Sequence, residues 1–337
     1  FAYSDISTGE FKVTQAPLNL LMSELARIAP AEIVAPAIRG EIKPFQIVPE
    51  ERADLPDVIV KTYNCSKIPA SVFDFSMSDS NLKAVFTPAS LTAFGYDKCK
   101  LGFRAAGALL AYVWESMKEN VPKIERIEAY ELSEYMILDA GTRKNLELVE
   151  TMREKNKYGS LLWAIDQTKT NMGARLLRNW ICQPLKRVHN IMVRQRAVSE
   201  LVEQSSIRVS LIEVLEKIYD IQRLSTRLSN NSANPKDFLS LKASLEMLPE
   251  LIEISSSLEN NPFASVKDYE EEIKAYTELI ARTIKEDAPM VIKEGGIINE
   301  GVSGELDYYR DLLTNGEEWL INFAEREREK TGIKTLK

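Results

Sequence analysis

Apolar residues recur along this chain with two different periods, and the change of period divides it. In the first third, short alternating runs predominate. Phe1–Ile6 and Glu10–Val13 flank Ser7-Thr8-Gly9, a spacing that predicts a β-hairpin. Pro17 opens a helix with Leu18, Leu21, Met22 and Leu25 on one face. Ala31–Ala35 reads as a short strand ended by Pro36, and Val58–Val60 and Val72–Phe75 as further strand-like pieces. Thr87 before Pro88 marks a helix start, and Gly95 its stop. Gly102–Met117 carries Ala105, Ala106, Gly107, Ala108 and Ala111, small residues that let a helix lie close against its support. These signals predict an α/β domain.

Two strand-like stretches follow, 124–132 and 135–138, and from Thr142 the helical period takes over. The pattern predicts helices over 142–152, 160–165, 172–181, 191–201, 209–227 and 235–248, with Asn234 capping the last. Ser303 then caps a helix whose Leu306, Leu313 and Leu320 repeat every seven residues, with Tyr309, Gly316 and Phe323 at the second seam position. Unbroken, 305–330 is one long helix, and the seam is expected to fold back, to pair with another copy, or to fray beyond Gly316. The fold class expected is thus an α/β domain followed by a mainly α-helical region ending in a long helix, with domains at 1–122, 123–302 and 303–337.

Charge sharpens this picture. The 337 residues carry 43 Lys and Arg against 50 Asp and Glu, a net charge of −7, which excludes a uniformly basic DNA-coating protein. Residues 140–200 nevertheless hold 12 basic against 5 acidic side chains, and residues 250–300 hold the reverse, 5 against 12. The basic stretch can attract phosphate, but a solvated helix face is the commoner reason for such a charge run. Cys65, Cys99 and Cys182 are far apart, so neither a disulfide framework nor a zinc site is expected and a reducing, cytoplasmic location is. The single histidine, His189, follows Lys186-Arg187 in an exposed stretch and is not expected to be catalytic. No apolar run reaches the roughly 18 residues of a membrane span.

Four blocks in collinear order resemble the MutS family of DNA mismatch-repair ATPases. Tyr3–Phe11 is similar to the opening of the family's connector domain, and Ile137–Glu147 (Ile-Leu-Asp-Ala-Gly-Thr-Arg-Lys-Asn-Leu-Glu) to the start of its core. Ser160–Asp166 with Thr168–Pro184 is the most specific block. Gly295–Ile298, Glu305–Asp307 and Glu325–Gly332 resemble the segment climbing toward the clamp. The resemblance implies an RNase H-like connector with a mixed sheet, a helical core acting as a lever, and an outgoing lever helix.

The family's mismatch-reading domain and clamp tip are not found, and the chain opens on Phe1, so a piece of a longer protein is expected. No G-x-x-x-x-G-K-[ST] occurs, so no ATP or Mg²⁺ site and no catalytic residue is expected in this chain; the resemblance places both ligands in the parent, a DNA-dependent ATPase. It also implies double-stranded mismatched DNA, MutL and a homodimer as partners of the parent, and no membrane.

Arg175 and Arg178 share a helix face and are candidates for DNA-backbone contact; support of neighbouring domains or plain solvation is the alternative. Trp163 and Trp180 suit core packing better than base stacking. The polar stretch 76–81, with Ser80 and Asn81, is a candidate docking surface for MutL or a mobile loop. Two rival classes remain: a metal-dependent nuclease of RNase H type using Asp5, Asp57 and Asp74, and a generic helical interaction scaffold.

Overall fold

The computed structural model describes residues 1–39, 51–118 and 124–333. The expected boundary at 122/123 lies outside them. The chain divides into two compact units, one of residues 1–233 and 247–268, the other of 234–246 and 269–337.

In the first unit, β1 (Ala2–Asp5) and β2 (Glu10–Val13) form the expected antiparallel hairpin. Gly9 takes φ 71°, a left-handed conformation open to a residue without Cβ, and its N–H donates to the Asp5 carbonyl at 2.9 Å. Alternation on β2 buries Phe11 and Val13 and leaves Lys12 to pair with Glu10. A second three-stranded sheet places β3 (Ile33–Arg39) between β4 (Glu51–Ala53), antiparallel to it, and β5 (Cys65–Pro69), parallel to it.

Pro36 does not end β3. Its carbonyl accepts from Asp54 N at 2.8 Å just past the end of β4, so the missing N–H falls at the margin of the β3–β4 ladder and not in its middle. Val58–Val60 and Val72–Phe75 are not strands. The first lies in α2 (Asp57–Thr62), where only Ile59 is buried, and the second forms a 3₁₀ turn leading into α3 (Phe75–Lys83). Short apolar runs do not distinguish the two periods, and here local turn chemistry prevailed.

Helix α1 (Leu21–Ile28) follows Pro17 as expected, and α4 (Pro88–Ala93) is capped by the Thr87 hydroxyl, which accepts from Ser90 N. The small-residue helix α5 (Lys100–Met117) buries Phe103, Ala106 and Leu110 against Phe11, Val13 and Leu82. Its backbone presses on α3: Asn81 Nδ2 donates to the Gly107 carbonyl at 3.2 Å. Strand β6 (Glu128–Ala129) pairs parallel with β2, a much shorter piece than 124–132 predicts, and 135–138 contributes one bridge, Tyr135 to Leu185.

The helices that follow are α6 (Ala140–Asn145), α7 (Leu161–Ile165), α8 (Asn171–Cys182) and α9 (Val188–Glu203). Asp139, Ser160 and Thr170 cap the first three with side-chain oxygens. The expected helix over 209–227 is two, α10 (Ser205–Leu215) and α11 (Ile221–Ser229), because Asp220 caps a new start and accepts from Arg223 N. A small core of Leu211, Val214, Ile218, Leu251 and Leu258 holds this part together.

In the second unit, α12 (Pro235–Glu246) starts at a reciprocal pair in which Asn234 and Asp237 side chains each accept from the other's backbone N–H. Helix α13 (Leu248–Ser255) belongs to the first unit, and α14 (Glu270–Thr283) packs on α12. The long helix expected over 305–330 is broken at Asn315 into α15 (Gly304–Thr314), capped by Ser303, and α16 (Gly316–Thr331). Gly316 brings poor helix propensity to the break, and among the described residues nothing lies within 4 Å of a Cβ placed there.

The heptad seam is bare: Leu313 is 87% exposed and Leu320 60%. Each such side chain forfeits roughly 1.5–3 kcal/mol of burial. Self-association of this chain is therefore expected in light scattering, and the double variant Leu313→Glu, Leu320→Glu should be monomeric. Equal masses for both would show that the seam drives nothing.

Candidate functional site

Two side-chain clusters lie near where the α/β body meets the helical region within the first unit. One centres on α8. Arg175 makes a two-pronged contact with Asp220, at 2.6 and 2.8 Å, and also donates to Gln222 Oε1 at 2.8 Å. The hydrogen bonds to Asp220, helped by the nearby Asp5 and Glu10 carboxylates of the hairpin, raise the guanidinium's pKa. The hairpin tip reaches α11: a Cβ placed on Gly9 would lie 3.4 Å from Thr226 Oγ1.

The Arg175 hydrogen bonds also hold the Asp220 carboxyl below its ordinary value. A carboxyl depressed on folding stabilises above its unfolded value of about 3.9, and that contribution disappears as pH falls through the folded value. Asp220→Asn should accordingly cost about 1–3 kcal/mol near neutrality, from the charged hydrogen bonds to Arg175, since Asn caps a helix as well as Asp does. The gap between wild type and variant in urea unfolding should close below about pH 4. A gap constant from pH 7 to pH 2.5 would remove Asp220 as its source.

The second cluster is buried. Arg27 Nε and Nη2 donate to Glu24 Oε2 at 3.0 and 2.8 Å, Tyr130 Oη donates to the same oxygen at 3.0 Å, and the Arg27 guanidinium lies 5.5 Å from the Tyr3 ring centroid. Burial, followed by the Glu24 charge, pushes the Tyr130 phenol far above its ordinary value. Next to this cluster opens a cavity of about 330 Å³ lined by Arg27, Arg143, Lys144, Lys155, Arg178 and Glu150 among others.

Arg175 and Arg178, one turn apart, diverge in use. Arg175 is committed to Asp220, whereas Arg178 is exposed at the cavity. Trp163 and Trp180 do not enter the core. They are 47% and 39% exposed, Trp163 beside Tyr158 with ring centroids 4.5 Å apart and Trp180 beneath the Arg194 guanidinium at 3.7 Å. The core packing expected of both is therefore not found: each ring is covered in part by a neighbouring side chain and is otherwise exposed.

Residues 1–125 match the family model for MutS domain II, and residues 141–336 that for MutS domain III. This chain belongs to the MutS family. It is 37% identical to the DNA mismatch repair protein MutS of Microcystis aeruginosa, 38% to that of Acetivibrio thermocellus and 36% to that of Synechococcus elongatus. The alignments cover 99–100% of the chain and 38% of each relative. The chain thus spans a little over a third of the length of these MutS relatives.

Membership of the MutS family does not favour the nuclease alternative, and neither does the geometry. The Asp5 carboxylate accepts from Ser7 N and Ser7 Oγ at 2.9 and 2.7 Å, a local turn bond. Asp57 begins α2 and Asp74 precedes α3. Among the described residues no group of three or more His, Cys, Asp or Glu is placed to hold a metal ion, and no helix is long and apolar enough to cross a membrane.

The stretch 76–81 is helix α3 rather than a mobile loop: Ser78 is fully buried, Asn81 is tied to Gly107, and Ser80 is exposed. His189 sits exposed in the first turn of α9. The cavity cations Arg143, Lys144 and Lys155 were not singled out from the sequence, although all three lie in the basic 140–200 stretch. Arg27, more than a hundred residues away, carries no sequence signal linking it to them.

Proposed function

We propose that this chain is the connector and core region of a MutS-type mismatch-repair ATPase, and that it couples mismatched-DNA binding to the ATPase and to recruitment of MutL. The supporting observation is the collinear match to MutS domains II and III over nearly the whole chain. In this reading the α/β body is the RNase H-like connector, and its α3 surface around Ser80 and Asn81 is the MutL-docking face. The helical region is the lever, and Arg178 the backbone-contacting cation. ATP and Mg²⁺ bind elsewhere in a homodimeric, cytoplasmic parent, so the chain itself is not an enzyme. The approach of the Gly9 hairpin tip to Thr226 of α11, beside the Arg175–Asp220 pair that fixes α8 against the start of α11, supports coupling, because it places the α/β body against a braced pair of helices. A generic scaffold leaves the collinear match unexplained.

The test is a chimera. Residues 1–337 replace the matching segment of the Microcystis MutS, and mutation rate is measured in a strain lacking its own protein. Restoration of a low rate is expected; a chimera that accumulates normally yet leaves the rate at the deletion level defeats the reading. The chain alone is expected to bind duplex DNA weakly, at about 10⁻⁴–10⁻⁶ M, through phosphate contacts and without regard to sequence. A tenfold preference for a G·T duplex over homoduplex in a salt-matched titration would contradict this.

A further inference from the structure

We infer that the cavity between α1, α6, α8 and the turn over 148–155 is a binding site for a phosphate-type oxyanion. This goes beyond the mismatch-repair reading and does not depend on it. Five cations line the cavity, Arg27, Arg143, Lys144, Lys155 and Arg178, against the single carboxylate of Glu150. Arg27 is neutralised by Glu24 at 2.8 Å. Among the described residues the other four lie within ion-pair distance of no carboxylate, in contrast to neighbouring Lys157 and Arg175, which have Asp166 and Asp220. Glu147, just before the turn, accepts from Met152 N at 2.7 Å and does not line the cavity.

Arg143 is the decisive member. Its Nε donates to the Leu138 carbonyl at 2.9 Å, which fixes the guanidinium in the wall, but its buried Nη1 has no hydrogen-bond partner. Burial, with Arg27 close by, depresses its pKa. A buried donor without a partner is costly, and a guanidinium without a counter-charge more so. An anion in the cavity relieves both costs: its negative charge offsets the repulsion among four unpaired cations, and a modest shift of the side chain brings the unpaired edge onto an acceptor. Arginine forks match the oxygens of a tetrahedral oxyanion, and the lysines add point charge at the exposed rim.

Size selects the ligand further. About 330 Å³ is at the small end of the roughly 300–1,000 Å³ usual for ligand pockets. It suits a phosphate or pyrophosphate group better than a base-bearing nucleotide. The phosphate can come from a free anion or from a DNA phosphodiester laid against the rim.

Isothermal titration of the full chain with inorganic phosphate and pyrophosphate, at ionic strength held constant with KCl, tests the site. One-site saturable binding is expected. Arg143→Gln and Arg178→Gln should each weaken it about tenfold, and the rim double variant Lys144→Gln, Lys155→Gln by a similar factor. Both rim lysines are exposed, so that variant remains informative if Arg143→Gln fails to fold. Heats indistinguishable from added KCl, or affinity unchanged in the folded Arg178 and rim variants, would overturn the proposal. A short homoduplex is then titrated with and without saturating phosphate. Competition lost in the rim variant identifies the phosphodiester as the source, and duplex binding indifferent to phosphate identifies the free anion.

Discussion

Replacing Arg27 with Met is expected to destabilise the first unit by about 3–5 kcal/mol, the cost of breaking a buried ion pair from one side. The side chains of Arg27 and Glu24 are only 7% and 10% exposed. Once Arg27 is removed, the Glu24 carboxylate keeps one donor, Tyr130 Oη, and loses the charge that offset its desolvation. The Met stem still fills most of the volume, so packing contributes little. The control is the double variant Arg27→Met, Glu24→Gln, which removes both charges and should recover a large part of the loss. Tyr130→Phe, which removes one hydrogen bond, should cost only about 1 kcal/mol. Urea unfolding of the four proteins supplies the comparison. If the double variant is no more stable than Arg27→Met, the penalty is steric and the ion pair is not its origin.

The contrast between Arg27 and the helical caps shows which parts of this fold are legible in sequence. Thr87, Asn234 and Ser303 act on backbone groups three residues away, and each helix start they marked is present. The β1–β2 hairpin was equally local. Where two periods fit one short run, as at Val58–Val60, the sequence offered no means of choosing. The break at Asp220 has a local cap, on Arg223 N, but the contact that holds the carboxylate in place comes from Arg175, 45 residues distant, and apolar periodicity carries neither signal. The basic cavity was half legible. Its charge excess stands out between 140 and 200, but whether such charge is solvated or gathered depends on α1 closing the other wall. Likewise the spacing of Arg175 and Arg178 predicted a shared face, and only the fold shows that one has a carboxylate and the other does not.

The small residues of α5 allow a second large effect, and one whose sign discriminates between two explanations. Helix propensity alone says that Gly107→Ala stabilises by about 0.5–1 kcal/mol, because glycine is the poorer helix former. Packing says the reverse. A Cβ at Gly107 would fall 2.6 Å from Ser78 Cα and closer still to the Ser78 carbonyl oxygen, contacts with backbone that no rotamer change can relieve. Ser78 cannot retreat: it is fully buried, and its hydroxyl donates to the Val72 carbonyl at 3.1 Å. Moving α3 away would also lengthen the bond from Asn81 to the Gly107 carbonyl and open the Leu82 contact with the core. Overpacking of this kind costs about 1–3 kcal/mol for one methyl group, and Gly107→Val should prevent the α/β body from folding. Leu101→Ala, on the exposed side of the same helix, should change stability by no more than about 0.5 kcal/mol. A Gly107→Ala protein with a higher urea midpoint than wild type would show that α3 and α5 do not touch as described, and that the Ser80–Asn81 surface is held in place by something else.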